Sequence, residues 1–198
     1  MAVDIFDVDE IDSVLRQKLR REEINLREFN VPVYEIEPDY KVEQFRLSSD
    51  RKLYLKQVRT SIENTSGMAE SKGFNHNIFT ALYEAVLNAH QHGNRADSDK
   101  RIILAHNIED EIAKFVVVDE GGNINPEFIP FVLRHREGRH EKGRKIVDFY
   151  KFTNTKKPAC NNGTGTSFIH MYMDDVAYYK HVEGGLAVHL IKKKNPAT

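Results

Sequence analysis

The apolar positions change period several times along the chain, and each change marks an element. Within residues 1–30, DEIDSVLRQKLRREEINLREF sets Ile11, Val14, Leu15 and Leu19 at helical intervals in a heavily charged context. This predicts a partly helical segment with one docking stripe. VPVYEIEPDY then alternates and holds two prolines, which suits a connector or an edge strand. QFRL at 44–47 reads as a short strand. Ser48 or Ser49 is placed to cap the next helix, where Leu53, Leu55, Val58 and Ile62 recur at mostly helical spacing until Gly73 breaks the pattern. A second helix is predicted from about Asn75 to His92. Gly93 and Asn94 would stop it, since both residue types tolerate left-handed backbone.

From Arg101 the period becomes two. RIILAHNI and AKFVVVD read as strands joined by an EDE turn. Pro126 and Pro130 open a basic region with no clear periodicity, up to about Asn162. TSFIHMYMDDV then reads as a helix, and VAYYKHVEGGLAVHLIKKK as a hairpin turning at Gly184 and Gly185. Helices and strands in this order predict an α+β fold. It is a two-layer α/β sandwich, with helices on one face of a mixed, mostly antiparallel sheet. The division expected is an arm over 1–40 and one domain over 41–198.

Composition narrows the function. Hydrophobic residues make up 40% and charged residues 30% of 198, as in a globular protein. Lys+Arg 29 against Asp+Glu 30 leaves a net charge of -1, so no overall field draws nucleic acid or an anionic membrane. The single cysteine, Cys160, excludes an internal disulfide and fits a reducing compartment. No apolar run approaches the roughly 20 residues that span a bilayer, and the N-terminus is acidic where a signal peptide is basic. The expectation is a soluble cytoplasmic protein.

Three stretches carry candidate chemistry. In EAVLNAHQHGN, Glu84, Asn88 and His92 recur every four residues, a rotation of only about 40° per step on a helix. Glu84 offers a carboxylate for proton transfer and Asn88 a hard oxygen for Mg²⁺, one turn apart on one face. The alternative is an exposed polar stripe. In FVVVDEGGN an apolar strand ends in Asp119, followed by Gly121 and Gly122. An acid there can accept from an exocyclic amine, and the glycines let the backbone approach a flat ring; an ordinary tight turn reads the same way. In NNGTGTSFIHMYMDD, Gly163 and Gly165 precede a helix beginning near Thr166, a place where free N–H groups bind phosphate. No GK[ST] follows, so it is not a Walker loop. Histidines 90, 92, 135 and 140 lack the spacing of a zinc site.

Taken in order, EAVLNAHQHGN, DEGGNINP and GTGTSFIHMYMDDV resemble the N-box and the two glycine boxes of the histidine-kinase-like ATPase superfamily. That group includes gyrase, the histidine kinases and the MutL repair proteins. The nearest likeness is to the bacterial anti-sigma-factor serine/threonine kinases, whose second box Gly163, Gly165, Ile169, Met173, Asp174 and Val176 fill. The resemblance covers about 44–192.

The resemblance implies a Bergerat-type ATP-binding fold, with ATP and Mg²⁺ as cofactors. Asn88 would hold Mg²⁺ and Glu84 would be the general base. Asp119 would recognise the adenine amine, Gly121 would make room for the ring, and Gly163, Gly165 and Thr166 would contact phosphates. Residues 126–162 would form the ATP lid, whose Arg134, Arg136, Arg139, Lys142, Arg144 and Lys145 would offset phosphate charge. His92 would fix the end of its helix. The implied partners are a small anti-anti-sigma antagonist protein as substrate, a sigma factor or similar regulator, and a second copy of the chain in a homodimer.

Two departures stand out. Asn123 fills the last glycine position of the first box, where its tolerance of left-handed backbone would preserve the turn. The first 40 residues hold no histidine, which argues against a histidine kinase proper. A non-catalytic, ATP-dependent switch that sequesters a partner remains the alternative function.

Overall fold

The computed structural model describes residues 3–6, 24–138, 146–158 and 161–194. A two-residue strand β1 (Ile24–Asn25) and a 3-10 turn (Leu26–Glu28) come first. Strand β2 (Lys41–Arg46) leads to helices α1 (Arg51–Ser71) and α2 (Asn77–Asn88), and α2 runs into a π-helical turn, Ala89–Gly93. The hairpin β3 (Arg101–Ile108) and β4 (Ile112–Asp119) is followed by β5 (Asn123–Ile124), α3 (Phe128–Glu137), α4 (Phe149–Phe152) and α5 (Gly165–Tyr172). The hairpin β6 (Asp175–Lys180) and β7 (Leu186–Lys193) closes the order.

Five strands form one antiparallel sheet in the order β2-β3-β4-β7-β6, and β1 pairs with β5 beside it. Alternation decides which side chains face the helices. Ile102, Leu104, Phe115, Val117, Val176, Tyr178 and Leu190 pack against Val58, Ile62, Ile78, Leu82 and Val86 from α1 and α2. The intervening residues Ile103, Ala105, Val116, Val118 and Ala187 face the other way, under Tyr34, Ile36 and Tyr40. Strand β4 is thus buried on both faces, which is why it reads as a continuous apolar run. The expected two-layer α/β sandwich is the fold observed. The sheet itself is wholly antiparallel, and the parallel pairing among the described residues is the isolated bridge between Tyr34 and His181. No helix of the described residues is long and apolar enough to cross a membrane.

Several expectations need correction. The cap of α1 is Asp50, whose side chain accepts from the Leu53 N–H at 3.0 Å. Ser48 Oγ instead accepts from the Asp50 N–H. The left-handed residues after α2 are Arg95 (φ 58) and Ala96 (φ 55), whereas Asn94 sits at φ -79. The region after Pro126 is not aperiodic, since ten of its residues form α3. Pro130 is the third residue of that helix, where a missing N–H costs nothing. Helix α5 ends at Tyr172, because Met173 is extended (φ -98, ψ 146) and Asp175 already starts β6. The stripe Ile11, Val14, Leu15 and Leu19 lies outside the described residues, as do Arg139, His140, Lys142, Arg144, Lys145 and Cys160.

Candidate functional site

The end of α2, the end of β4 and the start of α5 converge on a cavity of about 300 Å³, within the size range of small-molecule sites. Asn88, His92, Asp119, Asn123, Gly163, Gly165 and Thr166 line it. Phe128 of α3 and Phe149 and Tyr150 of α4 close one side.

Asp119 is the most constrained of these groups. It is 4% exposed, and its Oδ1 accepts from the N–H groups of Gly121 (2.8 Å) and Leu186 (3.2 Å). Its Oδ2 has no hydrogen-bond donor among the described residues. Burial pushes this carboxyl up to about 6, against the pull of those two N–H groups and of Lys100. Two glycines permit the arrangement. A Cβ on Gly93 would overlap Asp119 Oδ2, and one on Gly185 would overlap the Asp119 carbonyl oxygen.

The side chain of Asn94 fixes the frame around Asp119. It is fully buried. Its Nδ2 donates to the Arg101 carbonyl (2.9 Å) and its Oδ1 accepts from the Glu120 N–H (2.8 Å). The helix end, β3 and β4 are thereby tied together beside Asp119. Nothing in the sequence distinguished this cross-link from a conformational stop, since both are read from the same Gly-Asn pair.

Glu84 and Asn88 meet α5 at Gly165. A Cβ there would overlap Glu84 Oε2 and would lie 3.6 Å from Asn88 Nδ2. Glu84 is partly buried at the edge of the cavity rather than in its lining. Among the described residues its carboxylate has no hydrogen-bond or ion-pair partner, and desolvation raises its pKa. Helix α5 begins at Gly165 with Thr164 as its cap, and no side chain caps it. Its first N–H groups are therefore available to an anion. Gly163 needs its positive φ of 68, because Phe149 N–H donates to its carbonyl (2.7 Å) and Asn161 Oδ1 accepts from its N–H (2.8 Å).

Other expected residues sit differently. Gly121 does not line the cavity: a Cβ there would overlap the Gly93 carbonyl oxygen. Asn123 is in β5 at extended backbone, and Gly122 takes the left-handed position at φ 85. His92 Nε2 accepts from Asn161 Nδ2 at 3.0 Å, which ties the π turn to the glycine loop. His90 is turned away, with Nε2 on the Ser48 carbonyl. Arg134 lies over the Phe152 ring, and Arg136 pairs with Asp4. The aromatic wall of Phe128, Phe149 and Tyr150 went unanticipated, because the prolines and basic residues around it hide its helices.

The family model for the histidine kinase-like ATPase domain matches residues 49–192. The chain belongs to that family. No curated protein matches the sequence. Within the histidine kinase-like ATPase domain, the match spans every cavity residue named above and stops short of the N-terminal 48 residues.

The residues present fit a nucleotide. Asp119, whose Oδ2 has no donor among the described residues, lines the cavity. An uncapped helix start and a glycine loop also border it, with the Asn88 amide near Gly165. Among the described residues no group of three His, Cys, Asp or Glu side chains is placed to hold a metal. Asn88 would hold Mg²⁺ through its amide oxygen, with phosphate and water supplying further ligands.

Proposed function

We propose that the cavity binds ATP and that the chain is a protein serine/threonine kinase of the anti-sigma type. Its substrate is a hydroxyl of a small antagonist protein, and its other partner is a sigma factor or similar regulator. The observation that carries this reading is Glu84: a partly desolvated carboxylate with no partner among the described residues, one turn from Asn88, set against the first residue of an uncapped helix. Asp119 orients the adenine through Oδ2, and Gly165 and Thr166 hold phosphate oxygens by backbone N–H groups, with Gly163 shaping the loop that leads to them. Glu84 accepts the proton of the attacking hydroxyl as its oxygen bonds to the γ-phosphorus and the bond to ADP breaks. Desolvation makes Glu84 a stronger base than a solvated carboxylate, closer to the pKa that serves neutral pH. Asn88 would hold Mg²⁺, whose charge would offset that of the triphosphate.

The second reading, a non-catalytic switch, draws support from Asn123, whose side chain lines the cavity where a glycine is usual. Incubation with γ-labelled ATP and a candidate antagonist separates the two. Label on the antagonist, lost in Glu84→Ala, supports the kinase. Nucleotide binding with no label transfer supports the switch.

A further inference from the structure

The described parts of the N-terminal arm lie outside the residues the family match covers, yet they touch the walls of the cavity. Phe6 is 1% exposed. Its ring meets Tyr178 edge-on at 4.8 Å and Phe128 at 6.1 Å, and those two rings meet each other at 5.8 Å and 86°. Both Phe128 and Tyr178 line the cavity. Phe6 therefore sits directly behind two of its walls, one on helix α3 and one on strand β6.

The segment is pinned on each side of that ring. Ile5 N–H donates to the Tyr178 carbonyl at 2.8 Å. Asp4 Oδ1 accepts from Phe6 N–H at 2.9 Å, and Asp4 Oδ2 stands 2.9 Å from Arg136 Nη1, near enough for charge attraction though not aligned as a hydrogen bond. Arg136 belongs to α3, so the arm holds that helix at Phe128, its first residue, and again in its last turn. Farther along, β1 pairs with β5 (Ile24 opposite Ile124, Asn25 opposite Asn123), and Leu26 N–H donates to the Gly122 carbonyl at 2.7 Å. Asn123 and Ile124 also line the cavity. The arm thus supports the cavity from two directions, through the aromatic wall and through the first glycine turn.

A packed interior transmits such contacts, because a side chain removed from behind a wall leaves its neighbours free to move. We propose that Phe6 and Asp4 are positioning residues of the nucleotide site, which hold α3 and Tyr178 in the geometry that grips the ligand. The inference rests on the cavity being the nucleotide site. It makes nucleotide affinity depend on a segment that belongs to this chain's arm rather than to the matched domain, and any partner that draws the arm away would release nucleotide.

The test uses the full chain and Mg·ATP. Binding is measured by calorimetry, and release of a fluorescent ATP analogue by stopped flow. The variants are Phe6→Leu, Phe6→Ala, Asp4→Lys and the charge-reversed pair Asp4→Lys with Arg136→Glu. Phe74→Leu serves as a control for lost stability, since Phe74 is a buried ring away from the cavity. Folding is checked by circular dichroism at the assay temperature.

Phe6→Ala is expected to weaken Mg·ATP by about tenfold and to speed release by a similar factor, since most affinity change within one interface lies in dissociation. Phe6→Leu gives a smaller effect of the same sign and keeps the test usable if Phe6→Ala does not fold. Asp4→Lys weakens binding, and the charge-reversed pair restores it, which a loss of general stability would not do. Phe74→Leu lowers the melting temperature and leaves release unchanged. Folded Phe6→Leu and Asp4→Lys chains with wild-type affinity and release overturn the inference and leave the nucleotide site standing. A folded wild-type chain that does not bind Mg·ATP overturns the nucleotide site and the inference together.

Discussion

The carbonyl oxygen of Gly93 occupies the space where a side chain on Gly121 would begin. This contact brings the end of α2 and the first glycine turn together, with Asp119 held between them. A methyl group at 121 meets backbone on the other side, which cannot swing aside as a side chain can. Gly121→Ala is therefore expected to lose about 1–3 kcal/mol to overpacking. For a domain of this size each kcal/mol lowers Tm by roughly 2–4 °C. Thermal melts and nucleotide titration should both register the change; an alanine chain with unaltered Tm and affinity would refute the contact.

Gly165 gives the opposite result. A methyl group there meets the tip of the Glu84 side chain, which is free to rotate away. Alanine also favours the helix by up to about 1 kcal/mol over glycine. Gly165→Ala is expected to fold with equal or greater stability and to bind ATP, yet to transfer phosphate poorly because Glu84 is displaced. Since general base catalysis contributes about 10²–10⁴-fold, the rate should fall toward that of Glu84→Gln. A variant that transfers at the wild-type rate would remove Glu84 from the mechanism.

Asp119 sets a pH dependence of defined sign. Its carboxyl is raised in the folded chain from 3.8 to about 6 by burial. Between about pH 4 and 6 the unfolded chain has lost this proton while the folded chain keeps it. Stability therefore falls as pH rises through that window, by about 3 kcal/mol for a shift of this size. Above about 6 the penalty is complete, and below about 4 it is absent. In Asp119→Asn this contribution to the slope vanishes. Nucleotide binding runs the other way, because the ionised Oδ2 is the better acceptor for an amine. The Kd for Mg·ATP should rise as pH drops below about 6, approaching tenfold per unit. A Kd that is flat from about pH 5 to 8 would contradict the assignment.

If Asn88 holds Mg²⁺ as proposed, metal removal and its mutation should converge. Chelation of Mg²⁺ is expected to weaken ATP binding to the wild-type chain. Asn88→Ala is expected to bind ATP weakly with or without the metal. Calorimetry in both conditions checks this, and a full Mg²⁺ response in Asn88→Ala would place the metal elsewhere.

How far the fold and site were legible depends on how local each signal was. Strands β3 and β4 were readable because their apolar run ends sharply at Asp119. The stripe Glu84–Asn88 was readable because helix geometry turns a four-residue interval into one face. Helix α3 was not, since Pro126 stands just before it, Pro130 sits in its first turn and basic residues crowd its last. The role of Asn94 was hidden because its partners, Arg101 and Glu120, become neighbours only once the hairpin folds. Gly121 shows the same limit: a glycine beside an acid suggests space for a ring, whereas the space is filled by the backbone of Gly93. Phe6 is the extreme case, lying more than 100 residues from the rings it supports.

Whether this cavity takes Mg·ATP is decided most directly by calorimetric titration of the folded chain, with Asp119→Ala alongside it. Saturable one-to-one binding that needs Mg²⁺ and disappears in Asp119→Ala is the predicted result. A folded wild-type chain that releases no heat of binding and protects no nucleotide, or an Asp119→Ala chain that binds as tightly, would contradict it.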